Sequence, residues 1–179
     1  MHEVMEAHEA QGHGEESPFL IPVAVTLSIL AVLVAIATLL GHRAATEELI
    51  LQTKASDQWA FFQAKNIRLH ELQSVADMLG TVTVVEKEKA DGLREKYLKE
   101  VERYEKEKDQ ASEQATDLEK ERDVAGRKED RFDAAEVILE IALIICSLTL
   151  LTKKKIFWFT GIGLGLAGLV VTVSGFLLH

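Results

Sequence analysis

Residues 161–175 read GIGLGLAGLVVTVSG. The stretch is apolar enough for the inside of a bilayer, yet it carries five glycines, and glycine is the poorest helix former after proline. Their placement gives the reason. Gly161, Gly165, Gly168, Thr172 and Gly175 recur at spacings of four, three, four and three, which is one face of a helix. Gly161 and Gly165 also form a GxxxG pair. Apolar side chains gain little by leaving lipid for one another, so helices there associate by close packing, and small residues let their backbones approach. The segment is predicted to be a membrane span with a small-residue seam.

The rest of the chain agrees. Of 179 residues, 47% are hydrophobic and 27% charged, ordinary fractions that are unusually segregated. Apolar residues collect at 19–41, 134–152 and 156–178, each long enough to cross about 30 Å of hydrocarbon. The expected fold is an all-α membrane protein with spans at 18–41, 134–152 and 156–179, joined at 153–155 by a basic turn. The residues before the first span hold no Lys or Arg, so that span reads as a retained anchor rather than a cleaved signal. Residues 1–17 read as a flexible tail rich in His and Glu.

Between the first two spans, 42–133 is expected to be water-exposed. Apolar residues recur at helical spacing from Leu51 to Leu79, and from Leu93 to Phe132 as a weak heptad with polar positions in its seam. Gly80 and Asp91-Gly92 are turn signals. The prediction is an antiparallel helical hairpin with arms 42–79 and 93–133, each roughly 55–60 Å long, and a turn near 80–92.

Four sets of residues invite functional readings. The first span carries its own small seam, Ala24, Ser28, Ala31, Ala35 and Thr38. Such seams pack helices within one subunit or between subunits, and glycine and alanine are also simply common in membrane helices. Glu136 and Glu140 lie one turn apart in the second span, with His42, Arg43 and His179 expected at the same membrane face. Intramembrane carboxylates are costly and often functional. Either these five residues form an interhelical polar cluster, or the glutamates reach the interface. No charged residue reads at the middle of a span. In DQWAFF, Trp59, Phe61 and Phe62 project around the helix, about 25 Å beyond the span. One partner helix cannot cover every side, which points to contacts between copies, or to a local core with one ring left outside. Finally, His2, His8 and His13 with their neighbouring glutamates match no defined metal site, and no cofactor is expected.

Catalytic signatures such as G-x-S-x-G, a P-loop, HExxH or CxxC do not occur, and no enzyme activity is expected. The net charge of −9, without a separate basic stripe, gives no support for nucleic-acid binding. The segment HRAATEELILQTKASDQWAFFQAKNIR at 42–68, following an apolar span, resembles an uncharacterised bacterial membrane-protein family, domain of unknown function 4337. The resemblance covers most of the chain and implies a bacterial inner membrane, without implying an activity. Lys153, Lys154 and Lys155 form a tight basic turn that favours the cytoplasm, setting the hairpin outside, whereas basic residues at the hairpin base favour the reverse.

The expected function is a non-enzymatic, homo-oligomeric membrane scaffold whose partners are further copies of itself, the bilayer and an unidentified protein. The alternative is a small channel or transporter subunit using Glu136 and Glu140.

Overall fold

The computed structural model describes residues 19–81 and 87–178. His2, His8, His13 and His179, and positions 82–86 of the expected turn, lie outside the described residues. Those described form three helices and no strand: α1 (Leu20–Thr81), α2 (Lys87–Thr152) and α3 (Lys155–Phe176). Each of the three is long and apolar enough to cross a membrane.

The helices start and stop for local reasons. Pro22 falls in the first turn of α1, where its missing N–H has no intrahelical acceptor to lose. The expected turn at 80–92 is narrower than its glycines suggested. α1 runs through Gly80, and α2 has already begun at Lys87, so Asp91-Gly92 is helical. One exposed glycine costs a helix only about 1 kcal/mol, and strong helix formers flank it while Ala90 is buried. Between α2 and α3, Lys153 takes a left-handed conformation with φ 55° and donates its N–H to the Thr149 carbonyl at 2.8 Å, capping α2.

The chain divides into two units. The first comprises Met1–Arg43 with Arg127–His179. Its core is Val23, Leu30 and Ala37 of α1 with Leu139, Ala142 and Cys146 of α2. The α3 face against this core is Gly161, Gly165, Gly168, Thr172 and Gly175, all buried. A Cβ added at Gly161 would lie 2.8 Å from the Cys146 Cβ and 3.1 Å from the Ala142 carbonyl oxygen. At Gly168 it would lie 2.7 Å from Leu139, at Gly175 2.7 Å from the Phe132 ring, and at Gly165 2.6 Å from Leu30 of α1. Gly163, off this face, meets nothing within 4 Å. Glycine is needed on the seam because its neighbours occupy the volume of a methyl group.

The second unit, Ala44–Gly126, holds the two arms of the hairpin. Leu51, Ala55, Leu69, Leu72 and Ala76 of the first arm are buried, as are Ala90, Ala111, Ala115 and Ala125 of the second. The polar seam positions pair across it. Gln58 donates to Gln114 at 2.8 Å, Arg122 to Gln52 at 2.7 Å, and Lys65 to Glu107. Each step up one arm is matched by a step down the other, from Glu48 beside Gly126 to Gly80 beside Arg94, as an antiparallel pair requires.

Candidate functional site

Two small-residue faces with the same spacing have opposite fates. The α3 glycines are closed inside the first unit. On α1, the face turned inward is instead Val23, Leu30, Ala37 and Gly41. Ala24, Ser28, Ala31 and Ala35 are exposed, and only Thr38, at the end of the row, is part-buried. The Ser28 hydroxyl donates to its own helix at the Ala24 carbonyl, so it adds no unmet polar group to the row.

Thr38 ends the row at a polar contact. Its hydroxyl lies 2.6 Å from Glu136 Oε1 on α2 and 3.0 Å from the Val34 carbonyl. Glu136 is part-buried here and accepts a hydrogen bond from the Thr38 hydroxyl. His42 and Arg43 are exposed.

Glu140 is the notable residue. It is exposed, one turn along α2 from Glu136, between Val137 and Ile144, which are 54% and 60% exposed. Its height follows from the helix packing. Gly161 faces Cys146, Gly168 faces Leu139, and Gly175 faces Phe132, so each seven-residue advance on α3 is a seven-residue retreat on α2. On this ladder Glu140 stands level with Ala167, next to Leu166 at the middle of α3. The Thr38–Glu136 contact puts it level with Val34, one turn from the centre of the apolar stretch of α1. Counted along α2 alone Glu140 looks peripheral, whereas the packing register sets it level with the middle of α3. The α1 small row and the α2 carboxylate both depart from the Thr38–Glu136 contact, run in the same direction, and face outward.

Of the aromatic residues expected to contact other copies, two are occupied within the hairpin. The Trp59 indole N–H donates to Glu119 Oε1 at 2.9 Å, and its ring meets Phe62 edge-on at 5.5 Å. Phe61 is the ring left outside, 47% exposed, with the Lys65 ammonium 4.8 Å from its centroid. That ammonium also sits 4.9 Å from the Tyr104 ring while bonding Glu107. The bond from Lys65 holds the Glu107 carboxyl below the ordinary carboxylate range. Sequence reading missed these cross-arm pairs because their partners are 42 to 70 residues apart. A polar residue at a seam position in each arm was the available signal.

At the other end of the three-helix unit, Trp158 donates its indole N–H to the Thr26 hydroxyl at 3.1 Å and meets Phe19 edge-on, with the Lys155 ammonium 5.4 Å from the Phe19 ring. Basic and aromatic groups thus gather at one end of the apolar stretch, as at a membrane interface. No group of three or more His, Cys, Asp or Glu that could hold a metal ion occurs among the described residues.

A family model, domain of unknown function 4337, matches residues 19–178. The chain belongs to this family. The match takes in all three helices. No curated protein and no solved structure matches the chain.

Proposed function

We propose that this protein is a non-enzymatic, homo-oligomeric membrane scaffold, with three spans anchoring a helical hairpin that serves as its recruiting surface. The observation that carries this reading is Glu140, exposed at mid-height of an apolar three-helix unit beside an outward row of small residues. Lipid tails offer a carboxyl group no hydrogen-bond donor, and an intramembrane carboxyl turned toward them costs about 2.5–3.5 kcal/mol or more. A neighbouring copy removes that cost, because small residues let its backbone come close enough to bond or bury the carboxyl. In this reading the α3 seam folds the subunit and the α1 seam assembles it. The Lys153–Lys155 turn faces the cytoplasm of a bacterial inner membrane, and the hairpin lies on the other side.

Native mass spectrometry in mild detergent tests assembly. Ala31→Leu and Ala35→Leu should shift wild-type oligomers toward monomer, while Gly163→Leu, on open helix surface, leaves them intact. A wild-type monomer at every concentration refutes the scaffold. Orientation is read by placing a cysteine at Gly92 in a Cys146→Ser background. Labelling by an impermeant reagent in intact cells supports an outside hairpin, and labelling only after lysis reverses the topology.

The same carboxyl favours one alternative, a small channel or transporter subunit in which copies gather Glu140 around a hydrated path. Glu140→Gln should then change ion flux through proteoliposomes; wild-type vesicles that carry no flux eliminate this reading.

A further inference from the structure

Glu140 and the small row of α1 border one groove. Thr38 and Glu136 face each other, so they mark the line where α1 meets α2. At about 100° per residue, Ala31 and Ala35 lie about 20° and 60° around α1 from Thr38, and Glu140 about 40° around α2 from Glu136. Leu30 and Leu139, which pack against Gly165 and Gly168 of α3, lie in the opposite sense from that line. The exposed residues Ala31, Ala35 and Glu140 therefore share the side of the α1–α2 contact that is turned away from α3. They share a height as well. Asp133 lies beside Gly41 as Glu136 lies beside Thr38, so three residues forward on α1 are three residues back on α2. On this register Glu140 stands level with Val34, between Ala31 and Ala35.

The carboxyl has no hydrogen-bond or ion-pair partner among the described residues. Copies that cross one bilayer in the same direction are related by an axis along the membrane normal, so they present the same residues at the same height. At the height of Glu140 this face offers Ala31, Ala35, Val137 and Ile144, none with a polar side chain, and Glu140 itself. Ser28 is about 9 Å away along α1, and its hydroxyl already donates to the Ala24 carbonyl. Glu136 is turned to Thr38, and Asp133 is about 10 Å along α2. His42 and Arg43 lie beyond Asp133, and α3 has no titratable residue at this height. A second Glu140 is thus the side chain that a copy can bring to the first. It also suits the need. A protonated carboxyl donates and the facing carboxyl accepts, and two carboxyls so joined hold a proton between them instead of two full charges. The alanines beside them let the helices come close enough for that bond.

We infer that Glu140 hydrogen-bonds Glu140 of a second copy across a two-fold axis along the membrane normal, with the α1 rows of the two copies packed beside the pair. The inference rests on the oligomeric reading and deepens it, by naming the group that meets the carboxyl and the symmetry that brings it there.

The test uses the full chain in mild detergent and native mass spectrometry. Glu140 is exposed, so its replacement leaves the core of the subunit untouched. Glu140→Gln, whose amide both donates and accepts, should keep the dimer. Glu140→Leu should weaken it roughly tenfold, with helix content unchanged by circular dichroism. Wild-type chains mixed with Glu140→Leu chains, distinguished by mass, should sort into like pairs, because a mixed pair strands one carboxyl. Statistical mixing of intact oligomers overturns the carboxyl pair and leaves the oligomeric reading standing. Assemblies of odd number do the same, since no two-fold pairs all their members. A wild-type monomer at every concentration removes both.

Discussion

The three-helix unit and the hairpin solve the same problem, choosing one packing register, by different means. Where three apolar helices meet, the register is set by shape: Gly161, Gly168 and Gly175 seat Cys146, Leu139 and Phe132 at contacts that admit no extra carbon. In the hairpin the apolar seam is largely alanine, which slides as easily as it packs, and the register is set by polar groups that find partners at one alignment only: Gln58 with Gln114, Lys65 with Glu107, Arg122 with Gln52. The division follows the solvent each unit suits. In lipid an unmatched polar group is expensive and a shape mismatch is not hidden by water. In water the hydrophobic effect holds two apolar stripes together but is indifferent to alignment, so directional bonds must specify it.

The comparison breaks most visibly at Gly161. Replacement by Leu forces carbon into the Cys146 side chain and the Ala142 backbone, and backbone cannot rotate away as a side chain can. The expected loss is about 3 kcal/mol, at the upper end of overpacking costs, read as a fall in the thermal midpoint of the full chain in detergent. Gly163→Leu, two residues on, has open space and should be neutral or slightly stabilising, since leucine is the better helix former. Equal effects at the two positions would mean that α3 is not held by its glycine face.

In the hairpin the corresponding break is electrostatic and smaller, because the Lys65–Glu107 pair is part-exposed, with side chains 22% and 34% accessible. The Lys65 bond lowers the Glu107 pKa in the folded state from its ordinary 4.5. The contribution is therefore complete above that ordinary value and is lost as the pH falls through the lower, folded value. Protection of the amides around residues 61–69, taken relative to intrinsic exchange at each pH, should fall in wild type as the pH drops below that ordinary value. Glu107→Gln should exchange faster at neutral pH and show less further change in acid. A variant that exchanges like wild type at pH 7 would remove the pair from the register-setting set.

Much of this architecture is legible in sequence, for reasons that also mark where legibility stops. Helix length and apolarity are local properties, so three candidate spans and two arms follow from composition and period. The glycine face of α3 is legible as a face. What it meets is not, because α1 carries a row with the same alternation, and only packing reveals that the glycines turn inward while Ala24, Ser28, Ala31 and Ala35 turn out. Glu140 shows the same limit. Counted along α2 alone it lies near an end of the apolar stretch; its central height comes from two neighbours whose offsets no single helix records. At DQWAFF the premise that one helix cannot cover every ring was sound, but Trp59 reaches the second arm, where Glu119 accepts its indole N–H, and Phe62 packs edge-on against Trp59, leaving Phe61 as the outward ring. Asp91-Gly92 misled because a dipeptide's turn preference is weaker than the helix formers on either side.

The smallest expected effect has the opposite sign and tests the claim that shape alone aligns the three-helix unit. The Thr149 hydroxyl is fully buried there and has no hydrogen-bond partner among the described residues. Valine has nearly the same shape and no hydroxyl, so Thr149→Val keeps the packing while removing an unsatisfied group, whose burial costs about 1–3 kcal/mol in a water-soluble protein. The gain should be nearer about 1 kcal/mol here: a separated helix in the bilayer can give the hydroxyl a partner that the packed unit denies it, but such bonds are worth less in lipid than the transfer cost suggests. Thr38→Val is the matched control. Its hydroxyl lies 2.6 Å from Glu136, and removing it strands a part-buried carboxylate, so the same exchange should lower stability. Thermal midpoints moving up for Thr149→Val and down for Thr38→Val would separate a polar group that the unit merely tolerates from one that it uses. If both fell together, polar bonding would have to be counted among the forces that align the three helices, and the contrast with the hairpin would narrow to one of degree.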